Sequence, residues 1–418
     1  MTASATFPLP RHWQTAHLRH VADIPVTNGL GEAAADGEVD WPRYIRTTDI
    51  TTFRSLDPAK RVTLPPAVAE GALVEAGDLL FTAAGSLGTS YQHRGGERAC
   101  YAGYLVRLRP DESKILSDYA AWWSQSQHHL DQIRLGAVRS TIDNFSAGKF
   151  RSMSVPLPPL AEQRAIADYL DRETAQIDTL IEEQQRLMAL LRERRRAEFD
   201  RVLTSDAAGQ PVRLKHIVSA ITQGWSPRAY PWPADGIEEW GVLKAGAVNN
   251  GVFRPAENKQ LPDEVAPRPE LVVRRGQIVV SRANTRDLVG SAALVEDDFP
   301  RLMLCDKLFA FDLDETLAYP PFVAMALNAT YYRRLLEAEA TGSSHSMQNI
   351  SLTDITNLPL NLPSVSQQRE VVQSIQARLE RIDRSIAETE RFVELSAERR
   401  AALITAAVTG QIDLEGAA

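Results

Sequence analysis

Two stretches of the chain carry apolar positions at an alternating three-and-four spacing. The first runs through Ala167, Leu170, Thr174, Ile177, Ile181, Gln184, Met188, Leu191 and Val202. The second runs through Val372, Ile375, Leu379, Ile382, Ile386, Thr389, Val393, Leu403 and Ala407. Such stripes predict two long amphipathic helices that each need an apolar partner, and the two fit one another. Gln184 and Thr389 put a polar group into each seam, which fixes register at a cost in stability and suits an antiparallel pair. At 1.5 Å per residue, about 40 residues would make a rod of roughly 60 Å.

The remaining sequence has a different grain. Short β-rich runs at residues 79–81, 104–108, 271–273, 278–280 and 308–311 are broken by Gly, Pro and Asp, which predicts strands and turns with little helix. Helical spacing returns at residues 117–133 and 320–340, where Pro320-Pro321 suits a first helical turn. The segments 156–159 and 359–363 are proline-rich and read as stiff connectors into the long helices.

These features repeat. Pro158-x-x-x-Glu162-Gln163-Arg164 returns 205 residues later as Pro363-x-x-x-Gln367-Gln368-Arg369. The same offset holds without a gap through Ile177-Asp178 and Ile382-Asp383, and through Glu193-Arg194-Arg195 and Glu398-Arg399-Arg400. Upstream it pairs Asn144-Phe145 with Asn349-Ile350 and Cys100 with Cys305. Further upstream the match continues at smaller offsets, as Leu18-Arg19-His20-Val21 with Leu214-Lys215-His216-Ile217, and Gly77 with Gly276. Drifting offsets are loop insertions in a shared fold. The expected architecture is therefore α+β: a tandem duplication of a mixed domain followed by a long helix, divided at 1–155, 156–205, 206–358 and 359–418, with the two long helices paired as an antiparallel coiled coil.

Length and composition agree with this division. The 418 residues exceed one compact core, and 44% hydrophobic with 24% charged residues excludes a disordered or collagen-like chain. Two cysteines are too few for a disulfide framework, residues 1–20 hold no apolar signal region, and no run of apolar residues spans a membrane, so a cytoplasmic location is expected. The net charge of −8 argues against a nucleic-acid binder that works by overall positive charge.

The order and duplication of these motifs resemble the DNA specificity subunit of type I restriction-modification systems. The residues that carry the resemblance are Pro156-Leu157-Pro158-Pro159-Leu160-Ala161-Glu162-Gln163-Arg164-x-Ile166, its weaker copy at 362–369, the Ile-Asp pairs at 177 and 382, and the segment Thr341-Gly342-Ser343-Ser344-His345-Ser346-Met347-Gln348-Asn349-Ile350. The second copy departs in having Gln367 where the first has Glu162, and Ala137-Val138-Arg139 replaces the polar segment around Ser343. The resemblance covers nearly the whole chain. It implies that the mixed domains are target recognition domains, each reading half of a split sequence in double-stranded DNA. It further implies that the helices space them and dock two modification (methyltransferase) subunits, with restriction (translocase/nuclease) subunits joining for cleavage. On the helices, Arg192, Arg194 to Arg196, Arg399 and Arg400 are the expected docking residues.

No catalytic constellation is expected in the chain. An adenine methyltransferase needs a carboxylate or amide before two prolines to accept hydrogen bonds from the flipped base. Tyr319-Pro320-Pro321-Phe322 has that spacing with the wrong first residue, and reads as a helix start. Gly85-x-x-Gly88 is a turn rather than a phosphate loop, and no Walker A motif occurs. Asp111, Glu112 and Lys114 sit too close together in a polar loop to converge on a nuclease metal. The histidines lack ligand spacing, and His128-His129 reads as a solvated helix face. Neither cofactor nor metal is expected.

Reading bases requires Arg or Lys on guanine, Asn or Gln on adenine, and further donors on phosphate. Candidates in the first domain are Arg139, Ser140, Thr141, Asn144 and Lys149, flanked by Arg134 and Arg151, with Arg94 in a separate loop beside His93 and Arg98. In the second domain they are Arg282, Asn284 and Arg286, with Ser343, Ser344, Gln348 and Asn349. Residues 1–155 hold 16 basic and 16 acidic side chains, so the first domain carries no general attraction for DNA. Partner subunits would have to supply most of the phosphate neutralisation. A non-catalytic coiled-coil adaptor that binds only proteins is the rival reading, and two non-identical mixed domains on near-identical helices speak against it.

Overall fold

The structure, a computed structural model, describes residues 8–35, 40–137, 144–204, 209–344 and 347–412. The chain forms two compact units, Met1–Arg186 with Thr389–Ala418, and Leu187–Glu388. The unit boundary cuts both long helices, Leu160–Thr204 and Val365–Val408, so that each unit combines a mixed domain with part of both.

The mixed domains share one topology. In the first unit, a four-stranded sheet has the order Thr27–Asn28, Leu105–Leu108, Leu79–Thr82, Ser90–Gln92; in the second the order is Val218–Gln223, Leu308–Leu313, Ile278–Ser281, Ala292–Leu294. A parallel pair recurs beside each sheet, Arg43–Ile45 with Ala99–Tyr101, and Gly241–Leu243 with Leu302–Met303. Gln14–His17 against Ser154–Leu157, and Gln210–Arg213 against Pro359–Leu362, close each domain onto its connector. The helical spans are each broken in two, as Ser117–Trp123 and Gln127–Gly136, and as Pro320–Asn328 and Thr330–Glu339. Ser126 begins the second of the first pair by accepting from the His129 amide. Pro320 stands at a first helical position, where its missing N–H costs nothing.

The repeat is visible atom by atom. Gln163 and Gln368 are fully buried at the starts of the long helices. The Gln163 side chain accepts from the Leu116 amide at 2.8 Å and donates to the Lys114 and Pro158 carbonyls. Gln368 accepts from the Tyr319 amide at 2.7 Å and donates to the Leu317 and Pro363 carbonyls. Each glutamine thus ties a helix start to the loop before the domain's own helix, which is why the motif needs an amide there. Gln163→Leu would leave three backbone groups unpaired. We expect it to destabilise the first unit by about 2–4 kcal/mol, read as a lower urea midpoint with unchanged slope. An unshifted midpoint would refute this role.

Equivalences of this kind also correct the alignment at the cysteines. The Arg43 amide donates to the Arg98 carbonyl as the Gly241 amide donates to the Arg301 carbonyl, an offset of 203 on the acceptor strand. Cys100 is therefore the counterpart of Met303, and Cys305 that of Ala102. A strand holds its register by backbone pairing, whereas matching two rare residues does not.

The long helices use the expected stripes. Ala167, Leu170, Thr174 and Ile177 are buried, as are Val372, Ile375, Ile382 and Thr389. In the first unit, Ile404, Ala407 and Val408 share a core with Ile166, Ala167 and Leu170, and Arg400 pairs with Asp178 at 2.8 Å. In the second, Phe199 packs into the core that holds Val372 and Ile375, and Arg195 pairs with Asp383 at 2.6 Å. Rising numbers on one helix meet falling numbers on the other in both units, which is antiparallel pairing. The two ion pairs join repeat-equivalent residues. Arg195 and Arg400 are therefore each bonded to the neighbouring helix, and Arg194, Arg195, Arg196 and Arg399 are exposed.

His129 overturns the reading of His128-His129 as a solvated face. It is fully buried between Phe81 and Trp123, and among the described residues neither ring nitrogen has a hydrogen-bond partner. Ile133, one turn further on, is buried with it, so the helix Gln127–Gly136 turns inward the side that carries the second histidine. Burial pushes the His129 pKa down from 6.5 to about 3, with the neighbouring His128 adding to it. The folded state thus binds fewer protons than the unfolded chain, so this contribution is complete above about pH 6.5 and is lost as pH falls towards 3. By pH 5 the loss is roughly 2 kcal/mol. Thermal unfolding at stepped pH should show that slope, and His129→Leu should flatten it; equal slopes would count against the assignment.

Candidate nucleic-acid interface

In the second unit the chain leaves Ile278–Ser281 and continues into Ala283–Asn284, which pairs with Met347–Asn349, itself paired with Thr341–Ser344. This small sheet brings together Arg282, Asn284, Gln348, Asn349 and the backbone of Ser343 and Ser344, which lie some sixty residues apart in sequence. The side chains of Ser343 and Ser344 fall outside the described residues. The guanidinium of Arg282 lies 5.6 Å from the Phe309 ring centroid, its amide donates to the Lys307 carbonyl, and its carbonyl accepts from the Ile350 amide. Asn349 is exposed. Asn284 is engaged at both ends, donating to Asn249 at 3.1 Å and accepting from the Thr285 amide at 2.9 Å. Gln348 donates to the Gly342 carbonyl at 3.3 Å. Arg286 stands exposed on the following turn.

The first unit repeats this arrangement in outline. The Phe145 amide donates to the Ala83 carbonyl as the Ile350 amide donates to that of Arg282, and Asn144 bridges Ala84 as Asn349 bridges Ala283. Asn144 and Asn349 are thus equivalent in structure as well as in sequence, and both are exposed. Arg139, Ser140 and Thr141, the counterparts of the segment around Ser344, lie outside the described residues.

Other candidates are placed apart. The Lys149 ammonium donates to the Gly136 carbonyl at 2.6 Å, closing the end of the helix Gln127–Gly136, where a cation is favoured. Arg134 pairs with Asp131, and Arg151 donates to the Val26 carbonyl. Arg94 is exposed in a loop that follows Gln92, the partner of Leu79, whereas Asn144 meets the chain at Ala84. Strands rise about 3.3 Å per residue, so Arg94 and Asn144 occupy opposite ends of the same strand. Arg94 does not join the cluster.

Motifs without a site are accounted for by turns. Asp111 accepts from the Ser113 amide and hydroxyl; its pairing with Lys114, followed by these bonds, holds its carboxyl down at about 2. Asp314 makes the same turn with Thr316. Tyr319 is held by its amide on Gln368 and by Arg369, 4.2 Å over its ring. Among the described residues, no group of His, Cys, Asp and Glu could hold a metal ion, and no helix is long and apolar enough to cross a membrane.

A feature the sequence reading overlooked lies beside the cluster. Gly29 and Gly224 are equivalent, and a side chain at either would collide with backbone: a Cβ on Gly29 would sit 2.1 Å from the Tyr101 carbonyl oxygen, and one on Gly224 2.2 Å from that of Cys305. The repeated Asn28-Gly29-Leu30 and Gln223-Gly224-Trp225 was the available signal. In the second unit this crossing delivers Trp225, whose ring lies 4.1 Å under Arg268, and then the stacked, exposed Tyr230 and Trp232.

The family described as the type I restriction modification DNA specificity domain matches residues 10–189. The type I restriction enzyme EcoEI specificity subunit of Escherichia coli is 35% identical over 164 residues, 39% of this chain and 28% of that relative. The StySPI specificity subunit of Salmonella potsdam is 24% identical over 391 residues, 88% of this chain and 82% of the relative. Residues 10–189 thus carry the type I DNA specificity domain, and over most of its length the chain is similar to type I specificity subunits. A solved structure from work on complex assembly and conformational transition of the type I R-M system shares the fold, with a TM-score of 0.76 at 15% identity over 97% of this chain and all of the other. The match to residues 10–189 covers the first mixed domain and the start of the first long helix, and the second unit carries the same topology as the first.

Proposed function

We propose that the chain is the non-catalytic specificity subunit of a type I restriction-modification complex. It reads a bipartite sequence in double-stranded DNA and directs adenine methylation, or cleavage, by partner subunits. The observation that carries this reading is the recurrence of one exposed asparagine on the same backbone bridge in both units, Asn144 on Ala84 and Asn349 on Ala283. Equivalent placement gives two readers, and different side chains give two different half-sites. Arg282, Gln348 and Asn349, with Arg286, Ser343 and Ser344, form the second reader; Asn144 with Arg139, Ser140 and Thr141 forms the first.

Two modification subunits would dock on the long helices. Leu187 and Leu190 are exposed on the first helix, and their repeat counterparts Phe392 and Leu395 are exposed on the second. Isolated exposed apolar residues are ordinary, but the same pair at equivalent positions on both copies suits two copies of one partner. Arg192, Arg194 and Arg196 on one helix, and Arg399 on the other, flank these pairs.

The test is to co-express the chain with the methyltransferase subunits of its own system and sequence the methylome. A split adenine-methylated sequence is expected. Arg282→Ala and Asn349→Ala should each relax a position in one half, at about 1–3 kcal/mol of discrimination, and Asn144→Ala a position in the other. Methylation without sequence preference would defeat the proposal. So would saturable S-adenosylmethionine binding by the isolated chain, measured by calorimetry.

A further inference from the structure

The turn Ala102–Leu105 in the first unit and the turn Cys305–Leu308 in the second are equivalent, each closed by a backbone bond from its fourth residue to its first, at 2.8 and 3.0 Å. Tyr104 and Lys307 occupy the same third position. Each also braces the polar cluster through its carbonyl, which accepts from the Ala83 amide at 2.8 Å and the Arg282 amide at 2.9 Å respectively. Ala83 and Arg282 in turn hold the residues that follow Asn144 and Asn349. The turn tip and the cluster are therefore one continuous piece of backbone-bonded surface in each unit.

Tyr104 is 68% exposed, the most exposed of the large apolar side chains in the chain's described residues. Its ring makes no stacking contact and its hydroxyl no hydrogen bond there. The turn itself is tightly held, because the Gly103 amide donates to the Leu30 carbonyl at 2.6 Å and Asn28 donates to the Gly103 carbonyl at 3.0 Å. A single exposed ring is ordinary by itself, but this one stands on a rigid turn bonded to the strand end that carries Asn144. In the second unit the same mount, with Ser226 bonded to Asp306, carries an ammonium group instead.

We propose that Tyr104 and Lys307 are equivalent DNA-contacting residues that use different chemistry, a ring contact with bases in the first half-site and a cationic contact in the second. This rests on both units recognising DNA. On a duplex the ring would lie against base edges and sugars, a contact independent of counterions, whereas each cation on DNA releases counterions and adds to the salt dependence.

The experiment measures binding of the complete methyltransferase complex to its own methylated target, by fluorescence anisotropy across a salt series. Tyr104→Ala should weaken binding roughly tenfold at every salt concentration, with the slope unchanged, and Tyr104→Phe should bind like the parent. Lys307→Ala should make the slope shallower by about one. Tyr104→Lys should make it steeper by about one, a gain that damage to folding would not produce. Parental affinity for Tyr104→Ala, or an unmoved slope for Lys307→Ala and Tyr104→Lys, would overturn the inference. A parent complex without a bipartite target would defeat the proposed function instead.

Discussion

Gly224→Ala is expected to prevent the second unit from reaching its native fold, and Gly29→Ala to do the same in the first. The added carbon would lie 2.2 Å from the Cys305 oxygen or 2.1 Å from the Tyr101 oxygen, and the obstacle in both cases is backbone, not a side chain that could swing away. Relief requires moving a strand. The turn Cys305–Leu308 adjoins Leu308–Leu313 at the centre of the four-stranded sheet, and Tyr101 ends a strand buried among Tyr44, Ile45 and Leu80. Overpacking of ordinary cores costs about 1–3 kcal/mol, and a rigid backbone clash should exceed the top of that range. The two variants should each lose one thermal transition and keep the other. Two unaltered transitions would mean that the crossing can open without cost.

The long helices were legible because a seam must repeat every 3.5 residues, and Leu170, Ile177, Val372 and Ile382 obey that rule without help from distant residues. The duplication was legible because the same bonds are made twice, by Gln163 and Gln368 among others. The approach of Gly29 to Tyr101 was not, since a glycine chosen for a tertiary contact looks like a glycine chosen for a turn. His129 misled for a related reason: a polar residue next to another suggests solvent, and only tertiary packing against Phe81 and Trp123 shows otherwise.

The candidate interface divides along the same line. Residues near one another in sequence, such as Arg282 and Asn284, or Gln348 and Asn349, could be grouped from the start, and pairing of Ala283–Asn284 with Met347–Asn349 joins the groups. Which members face outward depends on partners that no spacing encodes. Lys149 has the right chemistry for phosphate, but the open carbonyl of Gly136 holds it. Tyr104 has the opposite history, an apolar residue in a β-rich run that a turn turns outward. Charge composition could not settle the matter either, because a net charge of −8 describes the whole surface while a few donors suffice to read bases.

Exchange of one recognition unit is expected to exchange one half of the target. If each mixed domain reads one half-site and the helices act only as a ruler, replacing residues 1–155 with the corresponding domain of another specificity subunit should change that half alone. The second half and the spacing should stay. The first domain closes onto its connector through Gln14–His17 on Ser154–Leu157, so the junction at residue 155 lies within a strand whose backbone pairing the grafted first strand must restore. The reverse experiment lengthens the ruler. Four residues inserted into both helices at the unit boundary, after Arg186 and after Glu388, leave the Arg400–Asp178 and Arg195–Asp383 pairs within their own units. They advance each helix by about 6 Å, close to two base-pair steps of roughly 3.4 Å, and rotate it by about 40°. Methylome sequencing should then return the same bases with a longer gap between them. An insertion that changed base identity at unchanged spacing, or a graft that altered both halves, would mean that the two units read DNA jointly, and the ruler would have to be abandoned.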